Sequence, residues 1–399
     1  METTKNILAE VENLRPEMTD LRRRFHRWPE LGGEEERTAQ LICTEMAMLG
    51  LEPQRVEGTY SLFFTLDTGR SGKTLVLRAD IDGLQMPEEE ENLAGPKVCV
   101  SKREGYCHAC GHDAHTAMLL TAARVLCGMK EQLRGRIVFF FESGEENGAS
   151  YRQVCPALEK LAPDAIWGVH VMASMPTGTV SVQAGPRMSG SGSFRIRIHG
   201  KGGHGSRPDQ AVNPVVTACE IVSKLQSVVT LQLSPFESGV MTVSSVQGGA
   251  AWNIIPDSCY IQGGIRYFEP HVFEKMTAQV KRIVEGICLA NGCTAEFDKE
   301  PTLMAAVHND PALAALAQRS VEKVCPGALT EVEPWMASES FGWYQNIVPG
   351  VFAFVGMRNE AVGSGALHHN GKFDVDEACM PLGAAATVQF AVDFLTDGE

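Results

Sequence analysis

The sequence predicts an α/β protein: a larger layered domain with a smaller α+β domain inserted into it. Two observations predict this. Up to about residue 189, strand-length apolar runs alternate with segments of helical periodicity, the pattern of a sheet flanked by helices. Beyond that point, apolar and polar residues alternate with period two, the pattern of an antiparallel sheet with one face covered by helices. A chain of 399 residues has room for both parts, expected at 1–189 with 303–399 and at 190–302.

Taken in order, residues 6–24 and 34–49 have helical spacing, and between them His26-Arg27-Trp28-Pro29-Glu30-Leu31-Gly32-Gly33 reads as a loop. That loop either only connects two helices or helps shape a site. Strand-like runs follow at 61–66 and 74–78, the second ending in Ala79-Asp80-Ile81-Asp82-Gly83. A helix at 114–126 leads to a buried strand at 136–141 that ends in Glu142-Ser143-Gly144-Glu145-Glu146, and residues 165–171 form another strand with His170 near its end. Polar groups at the carboxyl ends of buried strands mark the edge where ligands gather. In the inserted part, strands at 193–199, 241–247 and 259–266 are separated by helical stretches at 210–227 and 270–290. The chain then returns to helices, a buried strand at 351–355, the segment Ala366-Leu367-His368-His369-Asn370 and a last helix at about 375–396.

Composition narrows the class. With 44% hydrophobic and 21% charged residues, this is an ordinary globular chain. A formal charge of −14 argues against nucleic acid and anionic membranes as partners. Twelve irregularly spaced cysteines and a polar amino-terminal segment point to reduced thiols in a cytoplasmic protein. Apolar runs are of strand length, far short of a membrane span.

The densest chemistry is Cys107-His108-Ala109-Cys110-Gly111-His112-Asp113-Ala114-His115, five metal-capable side chains and one carboxylate in nine residues. Cys110 and His112 flank a glycine, so on a tight turn thiolate and imidazole can face one point. Three other readings compete. The Cys107 and Cys110 pair could be a redox couple or half of a structural zinc site, and histidines are often simply buried core residues. A structural zinc normally brings a second paired-ligand module, which the sequence lacks, and a redox couple suits a small βαβ domain. A catalytic metal site fits better. Glu145 and Glu146 follow a buried strand and precede a glycine, so one can bind metal while the other reaches a water. The run Glu88 to Glu91 looks like a solvated charge cluster and is assigned no role. With Cys110, His112, His170 and His369, the set is enough for two divalent ions, which would acidify a water and polarise a carbonyl. One carboxylate would serve as general base and then acid, and amide hydrolysis is the reaction this best fits.

Seven motifs in order along nearly the whole chain resemble the metallopeptidase M20 family, in the branch of auxin-conjugate hydrolases, hippurate hydrolases and N-acyl-amino-acid aminoacylases. They are Arg78-Ala79-Asp80-Ile81-Asp82, His108-Ala109-Cys110-Gly111-His112-Asp113, Glu145-Glu146, Gly168-Val169-His170, Gly202-Gly203-His204-Gly205, Ala251-Trp252-Asn253-Ile254-Ile255-Pro256 and Leu367-His368-His369. The resemblance implies an α/β/α sandwich catalytic domain and an inserted lid that also forms a homodimer. It implies Cys110, His112, Glu146, His170 and His369 as ligands of two divalent ions, manganese or zinc, with cobalt or nickel as alternatives. Glu145 is implied as general base and acid, Asp82 as an orienting carboxylate, His204 as an oxyanion donor reaching a partner subunit, and Asn253 and Arg266 as holders of a substrate carboxylate. Cys107, His108 and His115 are left without a ligand role. His204 capping a turn and Arg266 as a surface strand residue are the plainer readings. Gln85, Glu142-Ser143-Gly144 and Gly371 depart from the usual family pattern without removing a ligand. The expected reaction is hydrolysis of the amide of an N-acyl or N-aroyl amino acid; a dipeptidase or carboxypeptidase, or a non-catalytic metal-binding relative, is the alternative.

Overall fold

A computed structural model describes residues 7–297 and 303–396, so the expected boundary at 302/303 lies partly outside the described residues. The chain forms two compact units. One comprises residues up to Arg187, His308–Glu333 and the chain from Trp343; the other is Met188–Val307 with Pro334–Gly342.

The first unit is built on a seven-stranded sheet in the spatial order Pro53–Arg55, Leu62–Asp67, Arg136–Glu142, Thr74–Asp80, Ala165–Pro176, Gly350–Arg358, Val180–Ser181. The four inner strands, from Arg136–Glu142 to Gly350–Arg358, pair in parallel; the outer pairings are antiparallel. The inner strands are buried almost throughout, which is why they read as continuous apolar runs rather than alternating ones. On one face, Leu75, Leu77, Ile137, Phe139 and Val351 join a core with residues of the helices Arg15–His26, Glu36–Ala47, His112–Gly128, Pro311–Val324 and Met380–Thr396. From the opposite face Phe140 meets Tyr344 edge-on, ring centroids 5.4 Å apart. The expected helix at 6–24 is two helices, Ile7–Asn13 and Arg15–His26, and Pro16 occupies the first turn of the second. The span Glu377–Thr396 is long and apolar enough to cross a membrane, yet it is mostly buried inside the fold, as a helix apolar on every side must be.

The second unit is a five-stranded antiparallel sheet. Gly190–His199 pairs on one side with Ser258–Tyr267, which pairs in turn with Gly239–Gln247; on its other side lie Thr294–Phe297 and Leu303–Met304. Ile196, Ile198, Ile261 and Ile265 point into a core with Ile221 and Leu225 of the helix Pro214–Leu225 and with Val272, Met276, Val280 and Val284 of the helix Pro270–Ala290. Arg195, Arg197, Tyr260 and Arg266 alternate outward, the one-sided burial that the period-two pattern predicts. The expected helix at 210–227 is instead a single helical turn at Pro208–Gln210 followed by Pro214–Leu225 and Ser227–Gln232.

Candidate metal centre

The parallel strands set the site. Because Thr74–Asp80, Arg136–Glu142 and Ala165–Pro176 run the same way, their carboxyl ends line one edge of the sheet. Asp80 ends the first and Asp82 follows it, Glu145 and Glu146 follow the second, and His170 lies on the third. His112 is the first residue of the helix His112–Gly128, and Gly111 before it has φ +94°. A Cβ at Gly111 would stand 2.3 Å from Val171 Cγ2, so only glycine allows the turn that separates Cys110 from His112.

All five predicted ligands are brought together. Potential ligand atoms of Cys110, His112 and His170 lie within 4.8 Å of one another, and so do those of Cys110, Glu146 and His369. Cys110 is common to both groups. Its Sγ lies 3.5 Å from His170 Nε2, Glu146 Oε1 lies 3.3 Å from His369 Nε2, and it lies 3.7 Å from His112 Nε2. Glu145 is buried and joins His112 and Glu146 in a third such group.

Hydrogen bonds fix how these side chains face. Asp82 accepts from His112 Nδ1 at 3.1 Å through one oxygen and from the Glu146 backbone N–H at 3.0 Å through the other. One carboxylate thus turns the Nε2 of His112 inward and sets the loop of Glu146, the arrangement that conserves ligand geometry at metal sites. His170 Nδ1 donates to Val171 O at 2.7 Å, which directs its Nε2 to Cys110. His115 also lies close, but its Nδ1 donates to Asp80 at 2.6 Å and its Nε2 accepts from Val171 N at 2.9 Å. Both nitrogens are committed, so it is a framework residue. His368 donates through Nε2 to Val171 O at 3.0 Å, whereas His369 faces Glu146.

The loop after Arg136–Glu142 is held by groups that sequence reasoning did not single out. Glu35, fully buried, accepts from Gly144 N at 2.7 Å and Gly33 N at 2.8 Å. Burial, together with the Asp82 charge, pushes its carboxyl up to about 8. Asn147 donates to Gly32 O at 2.8 Å. The His26–Gly33 loop therefore braces the turn that carries Glu145 and Glu146.

Glu88 corrects an expectation. It belongs to no solvated cluster: its side chain is 7% exposed, and it accepts from His26 Nε2 and Lys97 Nζ at 2.9 Å each and from Ser101 N at 2.7 Å. Burial opposes its ionisation, but His26, Ser101 N–H and Lys97 together bring the carboxyl down to about 2. His26 continues the network to Asp113 at 2.8 Å, and Asp113 pairs with the buried Arg22 at 2.7 Å. The signal missing from the sequence was the partner of the charge, which lies 62 residues away. Cys107 and His108 are buried, and neither belongs to a donor group among the described residues. Burial pushes the Cys107 thiol up to about 12 and holds His108 neutral, near 4, which leaves Cys107 a poor redox nucleophile.

The other predicted residues lie in the second unit. His204 and Ile254 pair on a two-stranded ribbon, and Gly205 N donates to Asn253 O at 2.8 Å, so His204 and Asn253 share one tip. The His204 side chain is exposed and its Nδ1 accepts from Ser206 Oγ at 2.7 Å, a turn contact. Arg266, on the exposed face of Ser258–Tyr267, donates to Ser338 Oγ.

The residues of the centre suit divalent cations. His112 Nε2 and Glu146 Oε1 are buried without a hydrogen-bond partner, which native proteins rarely tolerate unless a bound group satisfies them. Burial, then the Glu146 charge, pushes the Cys110 thiol well above its ordinary value; a cation supplies the missing drive to thiolate. Mixed sulfur, nitrogen and oxygen donors match borderline transition metals.

The description "Peptidase family M20/M25/M40" matches residues 76–393. IAA-amino acid hydrolase ILR1-like 4 of Arabidopsis thaliana is 35% identical over 386 residues, covering 95% of this chain and 86% of that protein. N-acetylcysteine deacetylase of Bacillus subtilis is 31% identical over 379 residues, covering 94% and 96%. Among solved structures, the Bacillus subtilis YXEP protein, described as a dinuclear metal-binding peptidase of the M20 family, superposes with a TM-score of 0.84 at 28% identity, covering 96% of this chain and 99% of that one. The chain belongs to peptidase family M20/M25/M40, whose members are hydrolases of amide bonds.

Proposed function

We propose that this protein is a metal-dependent amidohydrolase that cleaves the amide of N-acyl or N-aroyl amino acids, with Glu145 as general base and acid and Cys110, His112, Glu146, His170 and His369 holding two divalent ions, manganese or zinc. The observation that carries the reading is the convergence of five donors into two groups that share Cys110. The relatives that act on an auxin conjugate and on N-acetylcysteine support the substrate class. When bound, divalent cations supply Lewis acidity, polarising a carbonyl and lowering the pKa of a water.

The chain's own residues do the rest. Asp82 keeps His112 and Glu146 in register. Glu145, buried beside both, takes the proton of the attacking water and returns it to the leaving nitrogen as the C–N bond breaks. Burial sharpens this transfer because no bulk water competes for the proton. We assign oxyanion stabilisation to His204 and carboxylate recognition to Asn253 and Arg266, whose guanidinium suits bidentate pairing; the second unit is read as lid and dimerisation domain of a cytoplasmic homodimer.

The test is a panel of N-acetyl, N-benzoyl and N-indolylacyl amino acids and dipeptides, with metal-loaded wild type and Glu145→Gln in parallel. Turnover of acyl amino acids that falls about 100- to 10,000-fold in the variant, with metal content unchanged, is expected. Metal bound but no panel member cleaved would overturn the substrate class.

A further inference from the structure

His112 and His170 are carried by a regular helix and a regular strand. His369 is not: it lies in a loop, with φ +58°, one of only two non-glycine residues with positive φ among the described residues. That conformation is unfavourable for a side-chain-bearing residue and persists only where the surroundings over-determine it.

The surroundings here are identifiable. His369 N–H donates to Ala109 O at 2.9 Å, next to Cys110, and Phe373 N closes the loop on Asn370 O at 2.9 Å. Between them, Gly371 O accepts twice: from Glu89 N at 3.0 Å and from Lys97 Nζ at 2.8 Å. The Lys97 side chain is fully buried, and its ammonium also donates to Glu88 Oε1 at 2.9 Å. A Cβ at Gly371 would stand 3.1 Å from the Glu89 side chain and 3.3 Å from Pro87 O, so the segment 87–97 lies tight against the loop. From Glu88 the bonds continue through His26 to Asp113, the neighbour of His112. Lysine is almost never fully buried unless paired. This one is paired to a carboxylate and to the carbonyl two residues beyond a strained ligand.

We infer that Lys97 is a positioning residue for His369, and that it sets the affinity of the ion held by Cys110, Glu146 and His369 without setting that of the ion held by Cys110, His112 and His170. The inference rests on the two-ion reading above. Its basis is mechanical. The second group draws its orientation from a helix start, a strand, Asp82 and Val171 O; in the first, Asp82 holds the Glu146 backbone as well, but His369 depends on the loop that the ammonium secures.

The experiment is metal content per chain by mass spectrometry after dialysis against graded chelator, for wild type, Lys97→Met and Lys97→Met with Glu88→Gln. The double variant removes the carboxylate that the single one strands, so that a folded protein is available if the single variant unfolds; circular dichroism checks each. Expected is wild type losing its two ions at high chelator, and the variants losing one ion at about 10- to 100-fold lower free chelator strength while the other is retained as in wild type. Two ions held as tightly as in wild type by a folded variant, or both weakened equally, would overturn the inference and leave the two-ion reading standing. A wild-type protein holding fewer than two ions would overturn both.

Discussion

The Glu88 network yields a prediction whose size can be worked from the structure. Glu88→Gln removes the negative charge between His26 and Lys97 while keeping shape. Lowering a carboxyl from its usual 4.5 to about 2 corresponds to about 3 kcal/mol of folded-state stabilisation of the charged form. The group is buried, so solvent screening takes little from this figure, and it falls in the range for breaking a buried pair while leaving its partner charged, about 3–5 kcal/mol. The sign follows from the direction of each shift. Glu88 is depressed, so its contribution is present above about 4.5 and is lost as pH falls toward about 2. His26 is raised: burial and Arg22 oppose protonation, but the bonds to Asp113 and Glu88 outweigh them. Its contribution is complete below its unfolded value of about 6.5 and fades as pH rises through the higher folded one. The pair is therefore strongest between about pH 5 and 6.5. Urea unfolding of wild type and variant, followed by the fluorescence of the five tryptophans, should differ by about 3 kcal/mol at pH 6, and the gap should narrow below pH 4.5. A gap under about 1 kcal/mol at pH 6, or one that stays constant down to pH 3.5, would refute the reasoning.

Three further outcomes are expected. Glu145→Gln should cut turnover about 100- to 10,000-fold while inductively coupled plasma analysis finds the wild-type metal content. Asp82→Asn, which weakens the grip on both His112 and the Glu146 backbone, should lower metal affinity about 10- to 100-fold, seen as loss of metal at lower chelator. Cys107→Ala should leave metal content and turnover unchanged, and a chelator should inactivate wild type and this variant alike; activity that survives chelation but not the substitution would revive the redox reading.

The sequence alone determined the kinds of secondary structure, the one-sided sheet of the second unit and the set of candidate ligands. These are local facts: periodicity records which face a segment buries, and Cys110-Gly111-His112 or Glu145-Glu146 need only a short turn to converge. Tertiary structure showed which histidines have nitrogens engaged elsewhere. No local pattern distinguishes His115 and His368 from His112 and His369, yet Asp80 and the Val171 N–H engage both nitrogens of His115, and Val171 O accepts from Nε2 of His368. It also decided the standing of Glu35, Glu88 and Lys97. In the sequence, Glu35 and Glu88 sit in acidic runs indistinguishable from solvated surface, and Lys97 gives no signal at all. Whether a charge is buried depends on a partner supplied by a distant segment, His26 for Glu88 and Gly371 for Lys97, and no local pattern encodes the distance at which the chain folds back to meet it.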